Sequence, residues 1–202
     1  MDIFESALED GQPIVEEFHF LEPFIEATRA ALAGMADIQV NIQRMVRKTM
    51  NRALGDVVAV IRLTKRREAG VEGIGSREIA GLIHPRAGVA GSSLSDPSLM
   101  IIGFPNRTAA ALGGRILTGI ANEVHENLIR DCMGEIANVV AGQSKALLAE
   151  TPHRFIFSLP PIVMNAEEFH PPYNLDCLFV VFTCDQGEFT IQLFLDNRNA
   201  EN

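Results

Sequence analysis

The residues best suited to chemistry are two carboxylates and a carboxamide within one short segment. Asp131, Glu135 and Asn138 lie at positions i, i+4 and i+7, so they share one face of a predicted helix. An ordinary solvated face mixes Lys with Glu, but here no basic residue occurs between Asp131 and Lys145. Asn is a poor choice in mid-helix, because its side chain competes with the backbone for hydrogen bonds. The stripe therefore indicates a helix that uses the amide of Asn138.

The longest helical pattern of the chain, residues 122–150, carries this polar stripe. Its apolar residues recur mainly on the opposite side, as in a helix that packs one face on a core: Met133, Ile136, Ala137, Val140 and Ala141. The pattern predicts that the apolar side holds the helix in place while the polar stripe faces outward.

The remaining sequence predicts two more helices and a set of strands. Apolar periodicity indicates helices at 19–35, ended by Gly34, and at 108–117. Strand patterns occur at 37–46, 56–63, 79–91, 99–104, 155–159, 175–184 and 188–195. The last two are joined across Asp185-Gln186-Gly187, a hairpin signal. This order predicts an α+β fold, with long helices packed on a largely antiparallel β-sheet.

The predicted elements group into one domain with two extensions. Residues 1–18 form an acidic N-terminal arm, residues 19–196 the domain, and residues 197–202 a polar C-terminal tail. The chain has 202 residues, of which 47% are hydrophobic, which is enough apolar material for a sizeable core without disulfides or metals.

Charge and cysteine content exclude several classes of protein. The net charge of −9 argues against binding nucleic acid through phosphate neutralisation, and basic clusters at 44–48 and 65–67 are interpreted as solvated. No signal peptide opens the chain, and no apolar run approaches the roughly 18 residues of a membrane span, so we expect no membrane insertion. The three cysteines lack metal-ligand spacing, which predicts reduced thiols in a cytoplasmic protein.

Other chemically interesting residues carry weaker signals. Cys132, beside the stripe, is interpreted as a small buried residue, because no neighbouring histidine supports a reactive thiolate. The histidines lack the i, i+4 pairing of a metal site, and Gly70–Gly75 lacks the Lys-Ser/Thr of a phosphate loop. We therefore predict no metal and no cofactor bound by this chain.

The stripe and a later proline resemble a known signature. Asp131-x3-Glu135-x2-Asn138, followed by Pro161, resembles the signature of the CheC/CheX/FliY family of chemotaxis phosphatases. Residues 21–28 look like the opening helix of CheX proteins, and residues 157–163 look like the strand and turn behind the signature helix. The single Glu-x2-Asn pair is similar to the CheX branch, and the resemblance covers residues 19–196.

The resemblance implies a cytoplasmic hydrolase that acts on another protein. Members of the family hydrolyse the aspartyl-phosphate of a phosphorylated CheY-like receiver domain, the response regulator of a chemotaxis or other two-component signalling pathway. Glu135 and Asn138 would be the catalytic residues: Asn138 orients the attacking water, and Glu135 pairs with the receiver's active-site lysine. Asp131 and Gly142 would contact the partner. Mg²⁺ is expected on the receiver, and the resemblance also implies a homodimer.

Three alternatives remain open from the residues. The helix stripe could be a solvated surface with no role in chemistry, as short motifs often are. The chain could be a catalytically inactive module that binds a receiver without hydrolysing it. It could also be a protein associated with the flagellar motor, which would bind motor proteins irrespective of receiver phosphorylation.

Overall fold

A computed structural model of the chain describes residues 12–13, 18–65, 98–118, 125–151, 155–170 and 175–195. Within these ranges it has three α-helices: α1 (Phe18–Ala36), α2 (Asn106–Ile116) and α3 (Glu126–Leu148). The strands are β1 (Gln12–Pro13), β2 (Asn41–Met50), β3 (Val57–Lys65), β4 (Ser98–Phe104), β5 (Phe155–Phe157), β6 (Ile162–Asn165), β7 (Leu175–Cys184) and β8 (Gly187–Leu195). A short 3₁₀ turn, Ala166–Glu168, follows β6.

One antiparallel sheet contains all of these strands. Its order is β1-β2-β7-β8-β4-β3, and β5 and β6 both pair with the outer edge of β3. The predicted hairpin is confirmed: β7 and β8 pair from Asp176 opposite Leu195 to Cys184 opposite Gly187. The prediction of an α+β fold with helices on an antiparallel sheet is therefore confirmed.

The three helices pack on one face of the sheet. Alternate strand residues point towards them, since successive side chains in a strand face opposite sides. Helix α3 contacts both α1 and α2, as well as β3, β5 and β6 at the sheet edge. Small side chains line the contact between α1 and α3, with Ala27 and Ala31 on α1 and Ala137 and Ala141 on α3 all buried. This packing brings α3 close to the β5–β6 edge.

The opposite face of the sheet is also buried. Phe179, Val181 and Phe194 pack there with Leu54 of the β2–β3 connection and with Phe169, which follows the 3₁₀ turn. Thr190, Gln192 and Phe194 alternate along β8 and share this face, so two of its residues are polar. The structure buries Thr190 and Gln192 completely, so their polar atoms require partners.

Gln192 obtains these partners from the backbone of the β2–β3 connection. Its Oε1 accepts a hydrogen bond from the Leu54 N–H at 2.8 Å, and its Nε2 donates to the Leu54 carbonyl at 2.8 Å. The same Nε2 donates to Thr190 Oγ1 at 2.9 Å. One buried amide therefore fixes a loop segment against the sheet.

The first helix ends later than predicted. Gly34 was expected to end it, but that prediction is wrong, because α1 continues to Ala36 and the left-handed residue is Asp37, with φ of 53°. The Asp37 N–H donates to the Ala33 carbonyl at 3.1 Å. Arg115 of α2 closes this end, donating to the carbonyls of Ala36 at 2.8 Å and Asp37 at 3.2 Å. A cation is favourable there because it complements the helix dipole.

Two strand predictions need correction. The strand expected at 37–46 runs instead over Asn41–Met50, and β6 was not predicted, because its four residues directly follow two prolines. The strand expected at 79–91 lies outside the described residues. Of the predicted N-terminal arm, Gln12 and Pro13 pair with Arg47 and Val46 of β2. The 197–202 tail also lies outside the described residues.

We predict that Gln192→Ala lowers the free energy of unfolding by about 2 to 4 kcal/mol, because it leaves two buried Leu54 backbone groups without partners. Urea denaturation measures the change. The matched control is Gln43→Ala, which removes an exposed Gln43–Glu188 hydrogen bond of 2.9 Å and should change stability by less than about 0.5 kcal/mol. Equal stabilities of the two variants would contradict the role assigned to Gln192.

Candidate functional site

The polar stripe lies on the outward face of α3, as predicted. Asp131 and Glu135 are exposed and Asn138 is half-buried. The opposite side is closed by the core, where Met133, Ile136, Ala137, Val140 and Ala141 are all completely buried. No hydrogen bond or ion pair with another described residue engages the side chains of Glu135 or Asn138. Their polar atoms are therefore available to a partner molecule.

The stripe forms one wall of an open groove of about 430 Å³. Side chains of α3 line one side, and residues from the β5–β6 segment line the other. The lining residues are Asn127, Arg130, Asp131, Gly134, Glu135, Asn138, Pro160, Pro161 and Val163. The structure thus brings Asp131, Glu135, Asn138 and Pro161 together, as the signature predicts. Carboxylates can pair with a cation, and a carboxamide can accept and donate hydrogen bonds at once.

The second wall exists because the edge strand is interrupted. Strands β5 and β6 pair with successive parts of β3, Phe157 opposite Leu63 and Ile162 opposite Val60. The edge chain advances five residues from Phe157 to Ile162, whereas β3 advances only three between their partners Leu63 and Val60. The edge therefore contains two extra residues. Pro160 and Pro161 fall in this interruption, where their lack of an N–H cannot break a ladder hydrogen bond. The extra length forms the wall opposite α3.

Ser158, the first residue after β5, bonds the start of the interruption to β3. Its N–H donates to the Arg62 carbonyl at 3.0 Å, and its Oγ accepts from the Arg62 N–H at 3.1 Å. The chain leaves β3 only after this point, at Leu159, and the Leu159–Pro160 peptide bond is cis. The wall is therefore anchored immediately before the two prolines.

Gly134 allows the second wall to approach α3. A Cβ atom at this position would lie 3.1 Å from Cγ2 of Val163, which is closer than ordinary van der Waals contact. Gly134 lies between Arg130 and Asn138 on the groove side of the helix. The sequence analysis did not predict this packing role.

Two lining residues were missed at the sequence level. Asn127 precedes Asp131 by four residues, and Arg130 precedes Gly134 by four and Asn138 by eight, so both extend the groove side of the helix towards its N-terminus. Their helical spacing could have predicted that these two residues line the same groove. Arg130 donates to Asn165 Oδ1 of β6 and, more weakly, to Glu126 Oε1 at 3.4 Å. It therefore links the two walls of the groove.

Gly142 follows Asn138 by one helical turn and is exposed. It is not among the described residues that line the groove, so the structure does not bring it together with the other predicted site residues there. It continues the same face of α3 beyond the groove. A glycine at that place leaves the helix backbone open to close approach by another molecule.

The cysteines are free, and their thiols are held in the neutral form. Burial raises the pKa of the Cys132 thiol, and the neighbouring Asp131 carboxylate raises it further. Burial also raises the pKa of Cys177 and of Cys184. The interpretation of Cys132 as a buried residue is confirmed, since it is 7% exposed and lies in the core.

Among the residues that the structure describes, no group of three or more His, Cys, Asp or Glu side chains is arranged to hold a metal ion. Among the described helices, none combines the length and the apolar character needed to cross a membrane.

Several solved structures to which the chain is similar are those of chemotaxis proteins. The chain is similar to the chemotaxis protein CheX from Desulfovibrio desulfuricans, with a TM-score of 0.62 and 22% identity over 87% of this chain and 97% of that chain. It is similar to a CheC-like superfamily protein from Shewanella sp. PV-4, with a TM-score of 0.59 and 20% identity over 87% and 96%. A chain of the CheX–CheY–BeF₃–Mg²⁺ complex from Borrelia burgdorferi matches with a TM-score of 0.54 and 15% identity over 87% and 96%.

These similarities establish the fold of the chain as CheC/CheX-like, and the resemblance inferred from the signature is confirmed at that level. Neither a protein-family model nor a curated protein sequence matches the chain.

We predict that two glycines of α3 respond differently to the same substitution. Gly142→Ala should raise the free energy of unfolding by about 0.5 to 1 kcal/mol, because alanine restricts the unfolded chain and no described atom lies within 4 Å of the new Cβ. Gly134→Ala should lack this gain or destabilise the protein, since its Cβ meets Val163. Thermal or urea unfolding measures both, and equal gains would show that the wall does not press on Gly134.

Proposed function

We propose that this chain is a CheX-like protein phosphatase that hydrolyses the aspartyl-phosphate of a CheY-like receiver domain, ending a chemotaxis or other two-component signal. One observation carries the proposal: Glu135 and Asn138 are presented together on an open groove of a CheC/CheX-like fold. The similarity to a chain of a complex that contains CheX, CheY, BeF₃ and Mg²⁺ supports a receiver as the partner.

The chemistry asks little of the phosphatase beyond positioning. An acyl phosphate is already reactive, so a water held in line with the leaving oxygen supplies much of the acceleration. As the water oxygen bonds to phosphorus, the bond from phosphorus to the aspartyl oxygen breaks, and its electron pair returns to the carboxylate. Both water protons end on the released phosphate, as dihydrogen phosphate, which then equilibrates with solvent.

Asn138 is the residue we assign to the water. Its carbonyl oxygen accepts a hydrogen bond from the water and so orients the water's lone pair towards phosphorus. The amide is too weakly basic to remove a proton, so its role is orientation and not general base catalysis. It is half-buried and lines the groove together with Pro161, so its side chain is accessible from the groove.

Glu135 is the residue we assign to docking at the reaction centre. It lies about one helical turn from Asn138, and its exposed carboxylate can pair with the lysine of the receiver's active site. Asp131 and Gly142 extend the same face of α3 and would contact the receiver on either side. The Mg²⁺ that neutralises the phosphoryl oxygens would belong to the receiver, so this chain would need no cofactor of its own.

A cytoplasmic location and a homodimeric state complete the proposal. A receiver domain is phosphorylated in the cytoplasm, so its phosphatase would act there. The homodimer is an expectation from the resemblance, and sedimentation or light scattering of the purified protein would test it.

We predict that Asn138→Ala reduces the rate of phosphoryl hydrolysis about a hundredfold while the protein still binds its receiver, because the variant loses the group that orients water. The phosphoryl lifetime of a purified receiver with Mg²⁺ measures hydrolysis. Binding is measured with the receiver carrying beryllofluoride in place of the phosphoryl group. The matched control is Asn41→Ala, an exposed asparagine outside the groove lining, which should leave both values unchanged.

The phosphoryl lifetime and a separate measurement of binding to motor components distinguish the alternatives. A receiver-binding module without catalysis would leave the phosphoryl lifetime unchanged in wild type and variant alike. A motor-associated protein would bind motor components equally well with phosphorylated and unphosphorylated receiver. Either result would overturn the proposed function.

We predict that Glu135→Gln raises KM for the phosphorylated receiver about tenfold, because the substitution keeps the size of the side chain and removes its charge. The effect should shrink as salt is added, since ionic strength screens an exposed pair. Steady-state kinetics at two salt concentrations measure this. Glu150→Gln removes an equal charge just beyond α3 and should leave KM nearly unchanged, so an equal response of both variants would mean that only net charge matters.

A further inference from the structure

Strand β6 runs along α3 in a fixed register. Asn165 lies beside Arg130, Val163 beside Gly134, and Pro161 lines the groove together with Asn138. The eight residue steps from 130 to 138 along α3 rise by about 12 Å, and the four steps from Pro161, just before β6, to Asn165 rise by about 13 Å. Because these two lengths match, a contact between α3 and β6 at the Arg130 end determines how the two segments align at the Asn138 end.

A hydrogen-bonded brace occupies the end of this register opposite the proposed water site. The guanidinium of Arg130 donates to Asn165 Oδ1, and Asn165 Nδ2 donates to Glu168 Oε1 at 2.6 Å. Glu168 belongs to the 3₁₀ turn after β6, so the brace joins α3, β6 and the turn. The side chain of Arg130 is 22% exposed and lines the groove wall, while Asn165 and Glu168 lie at the surface.

The sheet holds the other side of β6. Its residues pair with β3 from Val57 to Val60, and the Ala166 N–H donates to the Asp56 carbonyl at 2.8 Å. Strand β6 is therefore fixed relative to β3, and the brace connects α3 to that fixed strand. Sliding or tilting of α3 along the sheet edge would have to break the Arg130–Asn165 bond.

We propose that Arg130 and Asn165 are positioning residues for the hydrolysis assigned above. The brace fixes the register of β6 along α3 and thereby holds Pro161 opposite the Asn138 amide. The inference rests on the proposed function, since it concerns the same groove. The planar guanidinium suits this task, because its donors leave in fixed directions and a bond to it restricts orientation as well as distance.

The proposal predicts a particular kinetic pattern. Arg130→Ala and Asn165→Ala should each reduce kcat about tenfold, because small displacements of a positioning group lower the rate strongly. The dissociation constant for the beryllofluoride-loaded receiver should stay unchanged. The double variant should lose no more than either single variant, since both substitutions break the same bond.

The matched control is Arg29→Ala. It removes an exposed Arg29–Glu26 pair of 2.9 Å on α1, which is an equal loss of an arginine hydrogen bond on another helix. It should leave kcat and binding unchanged. Thermal unfolding of every variant identifies any general loss of structure, and all variants are compared at a temperature at which each is folded.

A second measurement, by NMR, tests the effect of the brace on the groove independently of hydrolysis. The NMR signals of the Asn138 side-chain amide and of the Val163 methyl groups should shift in Arg130→Ala and Asn165→Ala, and should not shift in Arg29→Ala. These signals report the register, because Val163 lies beside Gly134 and Asn138 lines the groove with Pro161, and neither residue is part of the brace.

Each other outcome has a defined meaning. Unchanged Asn138 signals would overturn the proposal whatever the rates. A rise in the dissociation constant with unchanged kcat, or additive losses in the double variant, would also overturn it, because Arg130 would then be touching the receiver itself. If wild-type protein does not shorten the phosphoryl lifetime, the proposed function fails, while the NMR comparison still decides whether the brace sets the surroundings of Asn138.

Discussion

Helix α3 buries one face against the sheet and α1, and this packing determines where its other face points. Ile136, Ala137, Val140 and Ala141 are completely buried in the core, and the close packing around them opposes rotation of the helix. Rotating the helix by one position would bury the carboxylate of Glu135 without a partner, which is strongly unfavourable. The direction of the polar stripe therefore follows from the packing of α3 on the core and from the cost of burying its charged residues.

The second wall of the groove is formed by the interruption between β5 and β6 at the edge of the sheet. Two extra residues between β5 and β6 would weaken an interior strand, but at an edge they leave the remaining ladder intact. Pro160 and Pro161 also cannot offer N–H groups to another strand at this place. The same two residues thus shape the groove and reduce the pairing capacity of the exposed edge.

The division of labour in the proposed reaction follows from what the groove contains. Its carboxylates, Asp131 and Glu135, suit recognition of another protein surface, and its carboxamides suit the orientation of a small polar molecule. Cys132 is adjacent in sequence, yet its thiol is buried and its pKa is raised, so it does not compete for the reaction centre. An acyl phosphate supplied by a partner requires no stronger nucleophile than an ordered water.

Much of this protein follows from local sequence patterns. The apolar period of α3, the alternation in β8 and the turn between β7 and β8 each depend on neighbouring residues only, so the helices, the hairpin and the exposed stripe were predictable. The Glu135–Asn138 spacing likewise required no more than the helical repeat. These features were predicted correctly because each depends on residues that are close together in the sequence.

Other features depend on residues that are far apart in the chain. Gln192 finds its partners at Leu54, Gly134 meets Val163, and Arg130 reaches Asn165 only after β6 has paired with β3. No local pattern encodes these encounters, because they are decided by how the sheet orders its strands and how α3 settles on its edge. The sequence by itself determined which residues could act, and the tertiary structure alone decided what stands opposite them.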